Sequence, residues 1–141
     1  MKLQITQDDT WVAGIEDRPG GLADKIEALS SAGVNLEFLI ARRSPEKPGA
    51  GVVFVTPIEG DRQEKVAKEA GFEKSTSMHG LRVTAADQPG LGEQITREIA
   101  DAGINLRGVS AAAIGSQAVF HLAFDSAQDA EKAMNQLKKI E

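Results

Sequence analysis

The chain has 141 residues, of which 41% are hydrophobic and 26% charged, with a formal net charge of −5 and no cysteine. That length allows one ordinary domain or two very small ones, and the composition excludes the disordered and fibrous classes. Without cysteine there are no disulfides, thiolate nucleophiles or sulfur-ligated zinc or iron–sulfur centres, and with both halves acidic no basic stripe exists to displace counterions from nucleic acid.

Residues 2–7 alternate polar and apolar side chains, and a strand-like run follows over residues 10–16. Asp17-Arg18-Pro19-Gly20-Gly21-Leu22 then reads as a helix start: proline suits the first helical turn, and an aspartate just ahead caps free N–H groups. Leu22, Ile26 and Leu29, at spacings of four and three, give that helix one apolar stripe. Gly33 stands where a left-handed stop belongs, with an extended segment over 34–42 beyond it. A long loop carrying Pro45 and Pro48 leads to a strand at 51–56, a helix at 61–70 and a strand at 72–78.

From Leu81 the pattern begins again. Asp87-Gln88-Pro89-Gly90-Leu91-Gly92 repeats the first turn at an offset of 70, and the offset holds without a gap to Ala102-Gly103-Ile104-Asn105-Leu106, the echo of Ala32-Gly33-Val34-Asn35-Leu36. Leu91, Ile95 and Ile99 form the second stripe, and 104–113, 118–124 and a helix at 127–139 with Ala130, Met134 and Leu137 on one face complete the copy. Phe54 and Phe120 are matched at an offset of 66, which makes the first hairpin four residues longer. Two copies are too few for a solenoid, so two similar small domains are expected, residues 1–79 and 80–141. Each follows the order strand, helix, strand, strand, helix, strand, which points to a ferredoxin-like α+β sandwich with helices on one face of an antiparallel sheet. The second copy ends without its last strand, and residues 2–7 are expected to supply it.

Asp-x-Pro-Gly, a helix of about three turns and Ala-Gly-(Val/Ile)-Asn-Leu, twice over nearly the whole chain, resemble the ACT domain family in tandem. The resemblance implies a regulatory, allosteric module that binds a small amino acid or related metabolite between domains paired side by side. A cytoplasmic location is expected because no apolar run nears the roughly 18 residues that span a bilayer and residues 1–9 lack the apolar stretch of a secretory signal. The ligand would touch the turn of one domain and the Asn of a neighbour. On the first copy these residues are Asp17, Arg18, Pro19, Gly20, Gly21, Leu22, Asn35 and Leu36. On the second they are Asp87, Gln88, Gly90, Leu91, Asn105 and Leu106. The chemistry agrees: a helix N-terminus offers N–H donors and a positive dipole end to a carboxylate, glycine lets backbone approach the ligand, and an aspartate answers the ammonium group. Arg18 and the Gly20-Gly21 backbone make the first copy the preferred binder.

Plainer roles compete with these. Asp17 and Asp87 serve as caps, Gly33 and Gly103 as helix stops, and Asn35 and Asn105 as Asx turns. Arg42 and Arg43 read as solvated edge charges on opposite faces of a strand. His121 faces away from Phe120 and Leu122, and neither it nor His79 has the companions a metal site needs. No phosphate-binding loop, nucleophile elbow or His-Glu-x-x-His is present, so no catalysis, cofactor or metal is expected. Domains this small bury little surface, so a homodimer is expected, with a metabolic enzyme as a further partner and no nucleic acid or membrane. The alternative is a ligand-free interaction protein or a regulatory subunit of an amino-acid biosynthetic enzyme.

Overall fold

The computed structural model describes residues 2–140. They form an α+β fold with four helices among the described residues: β1 (Gln4–Glu16), α1 (Gly21–Ser31), β2 (Phe38–Arg43), β3 (Ala50–Thr56), α2 (Gly60–Glu69), β4 (Glu73–Ala86), α3 (Leu91–Asp101), β5 (Leu106–Ile114), β6 (Gln117–Phe124) and α4 (Ala127–Leu137). Pairs β1–β3, β2–β3, β4–β6 and β5–β6 are antiparallel. The chain divides into two compact units, Asp9–Ser75 and Met1–Asp8 with Thr76–Glu141. The divisions fall inside β1 and β4, whereas the sequence drew its joint at 79/80. Of the runs 2–7 and 10–16, which the sequence separates, residues 4–7 and 10–16 lie in one strand, with residues 2 and 3 ahead of it, because no glycine or proline interrupts residues 4–13.

In the unit Asp9–Ser75 the strands run β2-β3-β1. Ala13 and Ala41 both oppose Val53. One sheet face supplies Trp11, Ala13, Val53 and Val55 to a core closed by Leu29 of α1, Ala67 of α2, Ile58 and Phe72. Each large apolar side chain of this kind stabilises the fold by about 1.5–3 kcal/mol on burial. Helix α1 ends as the sequence implied. Gly33 is left-handed at φ 77, its N–H reaches Ser30 O, and the N–H of Val34 reaches Leu29 O, which closes the last turn on itself.

The other unit repeats this arrangement around Leu81, Val83, Leu122 and Phe124 of the sheet and Leu91, Ile95, Ile99, Ala130, Ala133 and Leu137 of its helices. Its strands run β1-β4-β6-β5, and Leu3 and Ile5 of the first half of β1 pack against its core. Two expectations need correcting. Ala133 rather than Met134 fills the buried stripe of α4, with Met134 at its margin. Phe120 corresponds to Val53, not to Phe54: Phe120 opposes Val83 and Ala111 as Val53 opposes Ala13 and Ala41. The offset there is 67, so the first hairpin is longer by three residues. Phe54 points to the opposite sheet face, a distinction that residue type alone does not carry.

Candidate functional site

The two Asp-x-Pro-Gly turns fold alike. Gly20 and Gly90 are left-handed, at φ 85 and 87, and occupy the N-cap positions of α1 and α3. A residue with a Cβ is strained in that conformation, which explains the glycines. The proline therefore stands just ahead of the cap and not in the first helical turn, and the aspartates lie too far upstream to cap. Neither helix start donates an N–H to a capping side chain. By contrast, α4 is capped by Ser126, whose Oγ accepts from the Asp129 N–H at 3.0 Å. An N-cap side chain ordinarily receives the second or third helical N–H, so Leu22 and Ala23, and Gly92 and Glu93, present donors that no side chain answers. The aspartate N–H groups are used locally: Asp17 donates to Gly49 O and Asp87 to Ser116 O, tying each turn to its hairpin.

Around these matched turns the side chains differ. Arg43 Nε donates to Asp17 Oδ2 at 2.8 Å, so Arg43 is not a free edge charge. Arg18 Nε pairs with Glu16, its Nη2 with Asp24 Oδ2 at 3.1 Å, and its Nη1 donates to Pro19 O. The hydrogen bond to Glu16, followed by that to Asp24, raises the Arg18 pKa above its ordinary value. The backbone of the first copy is also less open than the sequence suggested. A Cβ on Gly20 would lie 3.5 Å from Arg18 Nη1, and one on Gly21 would lie 2.1 Å from Glu16 O. In the second copy a Cβ on Gly90 would meet nothing within 4 Å. Asp87 makes no ion pair among the described residues.

Sequence reasoning missed Glu16, Asp24 and Arg43 as members of the first turn's environment. Their signal lies in the repeat itself. At the offset of 70, Glu16, Arg18, Asp24 and Arg43 become Ala86, Gln88, Gln94 and Ala113, and only Asp17 keeps its identity, as Asp87.

The remaining candidates lie elsewhere. Asn35 and Asn105 are exposed and follow the C-terminal ends of α1 and α3, and neither makes a side-chain hydrogen bond among the described residues. An eleven-residue helix is about 16 Å long, so each Asn is remote from the turn of its own unit. Leu36 and Leu106 pack at the edges of the two cores, Leu22 joins the first, and Leu91 is fully inside the second. Arg18 and Gly21 also line an open hollow of about 840 Å³ in the unit Asp9–Ser75, between α1 and the β2–β3 hairpin. Lys25 on its wall is committed to Ala70 O at the end of α2. His121 is half-buried opposite Arg82, and burial, then that guanidinium, lower its pKa from 6.5. Among the described residues no group of three or more His, Cys, Asp or Glu side chains is placed to hold a metal, and no helix is long and apolar enough to cross a membrane.

Comparison with known proteins agrees with the fold. No curated protein matches the sequence. Among solved structures the chain is similar to a protein of Bacteroides thetaiotaomicron, at 17% identity and a TM-score of 0.77 over 96% of this chain and 89% of that one. It is also similar to the ligand-free regulatory subunit of aspartate kinase from Thermus thermophilus, at 17% identity and a TM-score of 0.63 over 94% and 93%. A third likeness is to the regulatory subunit of aspartate kinase from Thermus flavus, at 19% identity and a TM-score of 0.58 over 97% and 95%. Residues 79–141, which hold the second Asp-x-Pro-Gly turn and its helix, match the family model of the ACT domain.

Proposed function

We propose that the chain is a tandem of two ACT-like, ferredoxin-like units that binds a small amino acid or related metabolite without covalent chemistry and passes that state to a metabolic enzyme. The observation that carries this reading is the pair of matched helix starts, each led by a left-handed glycine and lacking a side-chain acceptor. Such a start favours a carboxylate through its free donors and dipole. At the second turn Asp87 stands ready for the ammonium group, so both charges of a zwitterion have partners. The chain's likeness to structures described as regulatory subunits of aspartate kinase supports the regulatory half of the reading and, as a second reading, a subunit of an amino-acid biosynthetic enzyme.

The second wall of the site comes from a second copy of the chain. Strand β5 is the edge of its unit and carries a single charge, Arg107, which is neutralised by Asp125 at 3.0 Å. Val109 and Ile114 on it are exposed, at 47% and 70%. An edge with so little to repel a partner favours pairing. In the antiparallel register of greatest overlap, β5 against its copy sets the partner's Asn105 opposite the Gly115-Ser116 turn. Ser116 is the residue whose carbonyl holds the Asp87 N–H. The partner's Asn105 thereby reaches the turn that Asn105 of the same unit cannot.

Thermal or urea unfolding in the presence of each standard amino acid tests this function. A ligand that binds the folded chain raises stability by about 2.7 kcal/mol at a hundredfold excess over Kd. One amino acid should give this concentration-dependent gain, and Asp87→Asn should remove it. No stabilisation by any of them, or an equal gain in Asp87→Asn, refutes the reading.

A further inference from the structure

The two turns share a backbone, and among the side chains that differ one set is charged in the first copy and neutral in the second. Arg43 fills, in the first copy, the position at Asp17 that a ligand's ammonium group would take, with Nε 2.8 Å from the carboxylate. Arg18, Glu16 and Asp24 form a second closed set beside it, and the Arg18 guanidinium lies against Gly20. All four of these residues are uncharged at the corresponding positions of the second copy, namely Ala86, Gln88, Gln94 and Ala113. The formal charge of the set is nonetheless the same, −1 in each copy, because three carboxylates and two guanidiniums in the first correspond to Asp87 alone in the second. Glu93, at the position of Ala23, adds a carboxylate to the first turn of α3 and makes the second turn the more negative of the two, and within the set the copies differ in whether the aspartate is already engaged.

Resting on the proposed amino-acid binding, we infer that the first turn is a self-occupied site. Arg43 is a built-in stand-in for the ligand's cation, Arg18 shields the backbone beside it, and each chain holds one working site, at Asp87-Gln88-Pro89-Gly90. Such a pair is a mild competitor. Asp17 is 36% exposed and Arg43 83%, and an exposed pair weakens a rival ligand by no more than about fivefold. Arg18 adds to this by holding its guanidinium, through Glu16 and Asp24, where a ligand would approach Gly20. The single working site would make the response of one chain graded, and the first unit a scaffold that keeps its turn folded without ligand.

Backbone amide shifts of the isotopically labelled full chain, titrated with each of the twenty standard amino acids, test the inference. Glycine serves among them as the bare zwitterion. In the wild type a saturable shift is expected at Gly90, Leu91 and Gly92, with Gly20, Gly21 and Leu22 responding only at ligand concentrations about fivefold higher or more. In the double variant Arg18→Gln, Arg43→Gln both turns should respond. Both substituted side chains are exposed, and the fingerprint of the remaining amides verifies the fold. The reciprocal change Ala113→Arg, which brings a guanidinium to Asp87, should weaken binding at Gly90 about three- to fivefold. Equal response of both turns in the wild type overturns self-occupation, as does a silent first turn in the double variant while Gly90 still responds. Silence of both turns in every variant overturns the amino-acid reading itself, and the inference with it.

Discussion

Gly21 and Gly92 are neighbours of the two caps, and alanine at each should act in opposite directions. A Cβ on Gly21 would sit 2.1 Å from the carbonyl oxygen of Glu16 and 3.2 Å from its carbon. That oxygen is held in place by the Arg18 N–H at 2.9 Å, so backbone and not a flexible side chain must move. Forced overpacking costs about 1–3 kcal/mol, and a backbone clash this short belongs at the upper end. Replacing a helical glycine by alanine returns about 0.5–1 kcal/mol, which leaves Gly21→Ala destabilised by about 2 kcal/mol. For a chain of this size that is a fall in Tm of about 4–8 °C. Gly92 lies 3.7 Å from the Phe120 ring at the notional Cβ, an ordinary contact. Gly92→Ala should therefore gain the propensity term alone, about 0.5–1 kcal/mol. Urea unfolding of the three proteins, compared by midpoint at constant slope, reads both changes. Gly21→Ala as stable as the wild type would show that the Glu16 carbonyl does not fill the space that Leu91 occupies in the second copy, and the asymmetry of the turns would lose its structural basis.

Ser126→Ala, which removes the side-chain cap of α4, should cost about 1 kcal/mol in the same unfolding assay. Ile95 of α3 is fully buried, and Ile95→Ala should cost about 2–5 kcal/mol, most of it lost packing. His121 supplies a pH dependence. Its folded pKa lies below 6.5, chiefly through burial and then through Arg82, so the unfolded chain binds its proton more readily. The contribution is fully present above pH 6.5 and is lost as pH falls through the folded value. Between pH 7 and pH 5 the wild type should lose stability more steeply than His121→Gln, and parallel curves would refute the assignment.

The repeat was legible in the sequence because its signals are local. Glycines at 20, 33, 90 and 103 answer backbone angles that other residues resist, and they recur at one offset. Stripes such as Leu91, Ile95 and Ile99 follow from helical periodicity alone, and all three are buried. What escaped the sequence depends on contacts between distant segments. The pairing of Arg43 with Asp17 joins residues 26 apart, and only the pairing of β3 with both β1 and β2 brings them together. Face assignment within β3 was equally hidden: residues 51–55 are apolar on both faces, so alternation could not separate Val53 from Phe54. The capping role expected of Asp17 and Asp87 failed for a related reason. The left-handed glycine moves the helix start downstream of the proline, and a motif read by residue type does not reveal that shift.

A crystal structure of the chain grown with the amino acid that stabilises it most tests the central claim directly. The carboxylate is expected within hydrogen-bond reach of the Gly92 and Glu93 N–H groups, the ammonium group on Asp87 and the amide of a partner's Asn105 closing the site. A ligand bound away from the Asp87–Gly90 turn, or that turn filled by a partner's side chains with no ligand between, would contradict the account.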